Sequence, residues 1–258
     1  MKEQSLTLTR VLGIKHIVEG DDLGMILMKA LGDNQIRLED GDILVLAQKI
    51  VSKAEGRLVN LTTVKPSQKA IRIASEVEKR PELIELILQE SNEVLRTRPG
   101  TIIVEHKSGF VCANAGIDHS NVQGTWGNPE DWVLLLPVDA NKSADSIRNY
   151  IETISDAHVG VMIIDSYGRA WRMGTIGMAI GLSGIPALVD LRGKPDLYDY
   201  KLRVTVVAAA DELAAAASLM MGQADEGTPV VHARGFPYTL RESNASELVR
   251  SKSYDMFR

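Results

Sequence analysis

At 258 residues, 45% apolar and 24% charged, the chain has the composition of an ordinary globular protein and enough length for a large core. A net charge of −5, with no basic block, argues against nucleic acid as a partner. The single cysteine, Cys112, excludes an intrachain disulfide and a zinc site built on thiolates alone. No apolar run suits a bilayer span and residues 1–10 carry no apolar signal core, so a cytoplasmic protein without membrane attachment is expected.

Residues 11–18 read as a short strand or extended piece containing Gly13, Ile14, Lys15 and His16. Gly20-Asp21-Asp22 stops it, and Asp21 or Asp22 suits the N-cap of a helix over 23–31. Residues 39–42 form a turn and the apolar run 43–47 a buried strand. Gln48 and three cations, Lys49, Lys53 and Arg57, follow that strand. Lys49 and Lys53 suit an anion, and their four-residue spacing equally suits an exposed helical turn. Pro66-Ser67 opens a helix to about 79. Pro81 opens another, with Glu82 and Glu85 in its first turn and Leu83, Leu86 and Ile87 on one face. Residues 102–105 form a strand after Pro99-Gly100.

Residues 111–121, VCANAGIDHSN, are a candidate site. Small residues let the backbone approach a ligand, and Asp118 and Asn121 offer oxygens and an amide. Cys112 reads as packing; His119 reads as a ligand or base, or as neither. A loop over 123–131, a strand over 133–136 and an amphipathic helix over 143–154 come next.

The most informative stretch is 159–184, VGVMIIDSYGRAWRMGTIGMAIGLSG. Its β-branched start predicts a strand buried on both faces that ends abruptly at Asp165-Ser166, the kind of strand end where open sheets bind ligands. Arg169, Arg172 and glycines at 168, 174, 177, 181 and 184 follow. A carboxylate, a hydroxyl, two guanidinium groups and bare backbone suit a metal-bound phosphate. They equally suit a polar turn before a tightly packed element, and the last four glycines fit a small helical face.

Residues 190–200 form a polar connection with Arg192 and Lys194, and 202–207 a strand. The clearest helix is 211–221, with Asp211 and Glu212 at its start and Gly222 at its end. The loop Gly222, Gln223, Ala224, Asp225, Glu226, Gly227, Thr228 is a helix stop and turn, or a nucleotide or metal loop. A last strand covers 229–233, and Asn244 with Glu247 has capping-box spacing. Neither standard glycine-rich nucleotide fingerprint is present, so any nucleotide needs an unusual cradle.

The residues alone thus indicate an α/β protein with mixed sheets that handles phosphate or a metal. Their oxygen-rich junctions favour magnesium or manganese. A non-enzymatic effector-binding module and a structural dimerisation unit remain as alternatives.

In seven segments the chain resembles the F420-0:gamma-glutamyl ligases, also called coenzyme F420:L-glutamate ligases. They are GDDL (20–23), AQKIVSKAEGR (47–57), VCANAGIDHSNV (111–122), DSYGRAWRMG (165–174), AIG (179–181), ADELAAAA (210–217) and MGQADEGTPVV (221–231), in family order. The resemblance implies one ligase domain over 1–258, in an unusual two-lobed α/β fold that forms homodimers, with no nitroreductase-like domain after it. It implies GTP-dependent addition of L-glutamate to the carboxylate of the deazaflavin precursor F420-0 through an acyl phosphate, then extension of a gamma-linked tail. A related ligase acting on another acid is the alternative.

The implied cofactors are two magnesium or manganese ions, with potassium as a further cation. Asp118, Asp165, Ser166 and Gln223 fall at metal-ligand positions. Gly13, Ile14, Lys15, His16, Gln48, Lys49, Lys53, Asn121 and the loop from Met221 to Thr228 fall at GTP-contacting positions. Lys53 is expected to neutralise phosphate charge, and Arg169 and Arg172 to meet the acidic acceptor or glutamate. Ser166 stands where the family more often has Thr, Lys15 where it commonly has Pro, and Gln48 and Lys49 where it often has small hydroxyl residues. These departures bear on the details of nucleotide contact.

Overall fold

The structure is a computed structural model, describing residues 5–256. In chain order its elements are β1 (Thr7–Arg10), α1 (Leu23–Asp33), β2 (Ile43–Ala47), α2 (Gln48–Ala54), β3 (Leu58–Asn60), α3 (Gln68–Val77), α4 (Pro81–Gln89), β4 (Ser91–Arg98), β5 (Thr101–His106), β6 (Val111–Ala113), β7 (Trp132–Leu134), α5 (Ala140–Ser155), β8 (Gly160–Arg169), β9 (Arg172–Ser183), β10 (Val189–Asp190), β11 (Val206–Val207), α6 (Ala209–Met221) and β12 (Val230–Arg234). Short 3₁₀ turns connect several of them.

The main sheet has the order β1-β12-β2-β8-β9. Only β2 and β8 run parallel in it; the other three pairings are antiparallel. Both central strands are apolar on both faces, as a sheet covered by helices on each side requires. Leu44, Leu46, Val161 and Ile163 pack with α1 and α5 on one face; Ile43, Val45, Met162 and Ile164 pack with α6 on the other. A third core joins α3 and α4 to β5 and β7. The mixed α/β class expected from the sequence is therefore present.

Local signals account for many boundaries. Asp22 caps α1, its carboxylate accepting from Met25 N at 3.0 Å. Asp21 instead accepts from Val18 N at 2.9 Å and pairs with Lys15 at 2.8 Å. Ser67 and Asp139 cap α3 and α5.

Several expectations are corrected. Residues 11–18 are irregular, and the strand precedes them as β1. Of residues 202–207 only Val206 and Val207 pair as strand. β8 does not stop at Asp165-Ser166. It continues to Arg169 and turns back as β9, with Asp165 opposite Met178 and Ser166 opposite Gly177. The glycines at 174, 177 and 181 therefore lie in a strand, and Gly184 just beyond it, not on a helical face. At Gly177 and Gly181 the sheet meets its covering helices: an added Cβ would sit 2.4 Å from Ala214 O and from Ala140 O respectively. Asn244 caps a 3₁₀ turn, not a longer helix, by accepting from Ser246 N at 3.0 Å, and the Glu247 carboxylate pairs with Arg241 while also accepting from the Asn244 backbone.

Candidate functional site

Strand direction decides what meets at the site. Because β2 and β8 are parallel and Ala47 lies opposite Ile164, Gln48 and Asp165 emerge at the same end of the sheet. Because β12 runs antiparallel to β2, the loop Gly222 to Thr228 enters at that end too, and Ala47 N donates to Pro229 O at 2.8 Å. The 111–121 segment approaches from the side, where Asp118 forms a backbone bridge with Leu134.

These segments are joined by hydrogen bonds. Gln48 Nε2 donates to Asp118 Oδ2 at 2.8 Å, and Lys49 Nζ lies 3.4 Å from the same oxygen. Lys49 also donates to the carbonyl and hydroxyl of Ser120, both at 2.9 Å. One helical turn later, Lys53 donates to Asn121 O at 2.9 Å. Asn121, at φ 56, donates from its side chain to Ala224 O at 2.9 Å. Ser52 supports Gln48 from behind, donating to its Oε1 at 2.8 Å. The helix α2 is thus more than an exposed basic turn, since its two lysines close onto the 118–121 loop.

The electrostatics are those of two carboxylates, one of them ion-paired to Lys49. Burial pushes the Asp165 carboxyl up to about 7, and the Asp118 charge adds to the effect. Burial also raises Asp118, against the opposing pull of Lys49 and Gln48. Lys53 is lowered by burial and by Lys49. Around Asp165, Cys112 and Tyr167 are buried, which the sequence reading missed for Tyr167. Burial pushes the Cys112 thiol up to about 12, so it is packing, as expected, and not a nucleophile.

Strand alternation separates Asp165 from Ser166. Tyr167 belongs to the core on the α1/α5 face and Ile164 to the core on the α6 face, so Asp165 projects with Tyr167 and Ser166 with Ile164. The Ser166 hydroxyl is therefore not beside the Asp165 carboxylate. Opposite Ser166, Gly177 abuts Ser218 of α6, and Ser218 Oγ accepts from Gln223 Nε2 at 2.9 Å. Of the four positions named for metal, Asp118 and Asp165 feel each other's charge, Ser166 projects to the α6 face of β8, and Gln223 is held to α6 by Ser218 in a loop that Asn121 ties to the Asp118 segment.

The remaining candidates lie around this centre. Met221 is buried at the end of α6 and Gly222, at φ 78, leaves the helix beneath the Glu226 carboxylate. Glu226 accepts from Ala224 N at 2.8 Å; Asp225 is exposed; Gly227 has φ 62; and Thr228 is buried, donating to Glu226 O at 3.1 Å. Gly13, Ile14, Lys15 and His16 form a surface segment next to the far end of α2, where Gly20 N donates to Ala54 O at 2.9 Å. Among the described residues no hydrogen bond ties 13–16 to the Asp118 cluster. Arg169 and Arg172 face each other at the tip of the β8–β9 hairpin. Arg169 is four residues, about 13 Å of strand, beyond Asp165. His119 is exposed beside Asp118.

Among the described residues no three His, Cys, Asp or Glu side chains form a ready-made cation cage. Two half-buried carboxylates close enough to feel each other's charge nonetheless fit a divalent ion that takes its other ligands from substrate phosphates and water.

Comparison with known proteins identifies the family. The model of the F420-0:Gamma-glutamyl ligase family matches residues 12–235. The coenzyme F420:L-glutamate ligase of Methanothermobacter thermautotrophicus is 43% identical over 98% of this chain and 99% of its own length. Those of Methanopyrus kandleri and Archaeoglobus fulgidus are 43% and 42% identical, each over 95% of this chain and 94% of their own. With its motifs, a family match over most of its length and relatives aligned nearly end to end, the chain belongs to the F420-0:gamma-glutamyl ligase family.

Proposed function

We propose that this chain is a GTP-dependent coenzyme F420:L-glutamate ligase of coenzyme F420 biosynthesis. It activates the carboxylate of F420-0 by phosphorylation, joins L-glutamate to it, and extends a gamma-linked tail. The observation that carries the reading is the meeting of Gln48, Lys49 and Asp118 with Asp165 at one sheet end, beside the Lys53–Asn121–Ala224 contact.

A carboxylate resists attack by an amine because its leaving group would be oxide. Transfer of the γ-phosphoryl group from GTP to the carboxylate oxygen makes an acyl phosphate and releases GDP. The glutamate amine then adds to the acyl carbon, phosphate leaves, and a proton is lost from nitrogen. Lys49 and Lys53 supply positive charge on one helical face to hold the triphosphate. The 222–228 loop brings backbone groups to the same end of the sheet. Asp118 and Asp165 are the side chains that would hold magnesium or manganese, with Ser166 contributing from the α6 face of β8 and Gln223 from its loop. When bound, such ions withdraw charge from the phosphates and align the transfer. Potassium is a further candidate cation.

A homodimer is part of the proposal. Trp171 and Met173 at the hairpin tip are 86% and 96% exposed, and Leu197, Tyr198 and Val204 add further exposed apolar surface. Such surface suits a second copy, whose site Arg169 and Arg172 at the hairpin tip would then approach. No helix among the described residues is long and apolar enough to cross a membrane, and the reading needs no membrane or nucleic acid.

The test is a reaction of protein, F420-0, GTP, L-glutamate and manganese followed by mass spectrometry. Glutamylated product and stoichiometric GDP are expected. Folded protein that binds GTP yet yields no glutamylated product overturns the ligase reading.

A further inference from the structure

Beyond the carboxylate pair, a cleft of about 340 Å³ runs along the outer edge of β9. That volume lies at the lower end for organic ligands. Its inner wall is Phe110, Tyr167, Met178 and Ile180. Its outer wall is the segment from Ala245 to Asp255, beyond the 12–235 family match, with Leu248 and Val249 facing inward. That segment is fixed at both ends: Ala245 N donates to Asn141 Oδ1 at 2.9 Å, and Lys252 Nζ pairs with the buried Glu105 at 2.8 Å.

Two observations mark the cleft as more than a packing defect. Among the described residues the buried Tyr167 hydroxyl has no hydrogen-bond partner, and Tyr167 lines the cleft. A buried orphan hydroxyl is costly unless something arrives to pair with it. The second is an aromatic row. His106 and Phe110 are stacked at 4.9 Å, and Phe110 meets Tyr167 at 5.4 Å, so the row leads to the cleft wall.

The lining chooses the ligand class. Its charged groups are Asp211, Arg250 and Asp255. Asp211 already accepts from Ala179 N at 3.0 Å through one oxygen, leaving the other to receive a donor. Free glutamate would bring two carboxylates to a rim with two of its own and one guanidinium. A flat, uncharged heteroaromatic ring, carrying both hydrogen-bond donors and acceptors, suits apolar walls tipped with a phenol and a carboxylate. Tyr167 stands only two residues, about 7 Å, along β8 from Asp165.

We infer that this cleft holds the deazaflavin ring of the acceptor, between the Phe110–Tyr167 wall and the carboxy-terminal segment 245–255. The inference rests on the ligase reading, and it makes the tail segment part of the acceptor site.

The probe is the deazaflavin riboside, which has the ring but neither the phosphate nor the carboxylate. Fluorescence titration is expected to show saturable binding to the intact chain. Val249→Trp, which fills the cleft, should weaken binding about tenfold, and Tyr167→Phe about fivefold. The KM for F420-0 should rise in the same order, while kcat at saturation and GTP affinity hold. Tyr167→Phe should not lower the melting temperature, because the lost hydroxyl has no partner. Should Val249→Trp misfold, hydrogen exchange in the unsubstituted chain decides: amides of 245–255 must slow when the riboside is added. If the chain glutamylates F420-0 but the variants alter neither KM nor riboside binding, or if exchange is unmoved, the ring sits elsewhere and the ligase reading survives. If no F420-0 is glutamylated, the ligase reading falls, and the riboside titration judges the cleft by itself.

Discussion

Gln48 and Asp118, seventy residues apart in sequence, are joined by a 2.8 Å hydrogen bond from amide to carboxylate. The bond locks the start of α2 to the 111–121 segment and orients the carboxylate whose charge acts on Asp165. Replacing Asp118 by Asn should cut kcat/KM for glutamylation about a hundredfold. Gln48→Ala, which only loosens that carboxylate, should cost about tenfold. Steady-state assays at saturating manganese would check both. Equal losses in the two variants would contradict the assigned roles.

Lys53 is held against the Asn121 carbonyl at 2.9 Å and shares its helical face with Lys49. Lys53→Met removes the charge proposed to meet phosphate and should weaken GTP about tenfold with little change in melting temperature. Calorimetric titration with a non-hydrolysable GTP analogue measures it. Unchanged affinity would remove Lys53 from the nucleotide site.

At the opposite end of β2, Asp42 lies 2.9 Å from His232 Nε2 and 2.7 Å from Arg234, which also reaches Glu39 at 2.9 Å. Burial alone would raise the Asp42 carboxyl, but hydrogen bonds from Arg234 and His232 outweigh it and hold the group below the usual carboxylate range. A lowered folded-state value means that the stabilisation is complete above the unfolded value, about 4, and disappears as pH falls through the folded one. Asp42→Asn should therefore lose about 2 kcal/mol at pH 7, with the gap to the parent narrowing below pH ~4. Urea unfolding across that range is the measurement, and a gap independent of pH would contradict it.

Gly177 has no room for a side chain, since a Cβ would lie 2.4 Å from Ala214 O and 2.6 Å from Ser218 Cβ. Gly177→Ala should push α6 outward at a cost of about 2 kcal/mol, roughly 6 °C in melting temperature. Because Ser218 holds Gln223, manganese affinity should fall as well. A thermal scan paired with a manganese titration separates the two effects.

Trp171→Asp with Met173→Asp should convert a dimer into a monomer in analytical ultracentrifugation, with glutamylation lost and melting temperature nearly unchanged. A monomeric parent protein would contradict the homodimer.

Much of this fold was legible because apolar runs and caps are local signals. β2 occupies the residues its run predicted, Asp22 caps α1, and α6 ends at Gly222. β4 was not legible, since SNEVLRTR is polar and mostly exposed and gives no apolar run. β9 was misread because its glycines recur at three- and four-residue spacing, the period of a helix, although close contact with α5 and α6 is what each of Gly177 and Gly181 serves. The junctions of the site were visible as residues, but their convergence was not. It depends on β2 and β8 being parallel and β12 antiparallel, which only the assembled sheet reveals. For the same reason the opposite projections of Asp165 and Ser166 were hidden while β8 seemed to end there.

The central claim is that Asp118 and Asp165 hold a cation against the triphosphate of GTP. Electron paramagnetic resonance of Mn²⁺, titrated into the protein with a GTP analogue and into Asp165→Asn under the same conditions, tests it most directly. The account predicts bound manganese in the parent that depends on the analogue and is lost in the variant. Manganese bound equally by both proteins, or by neither, would contradict it.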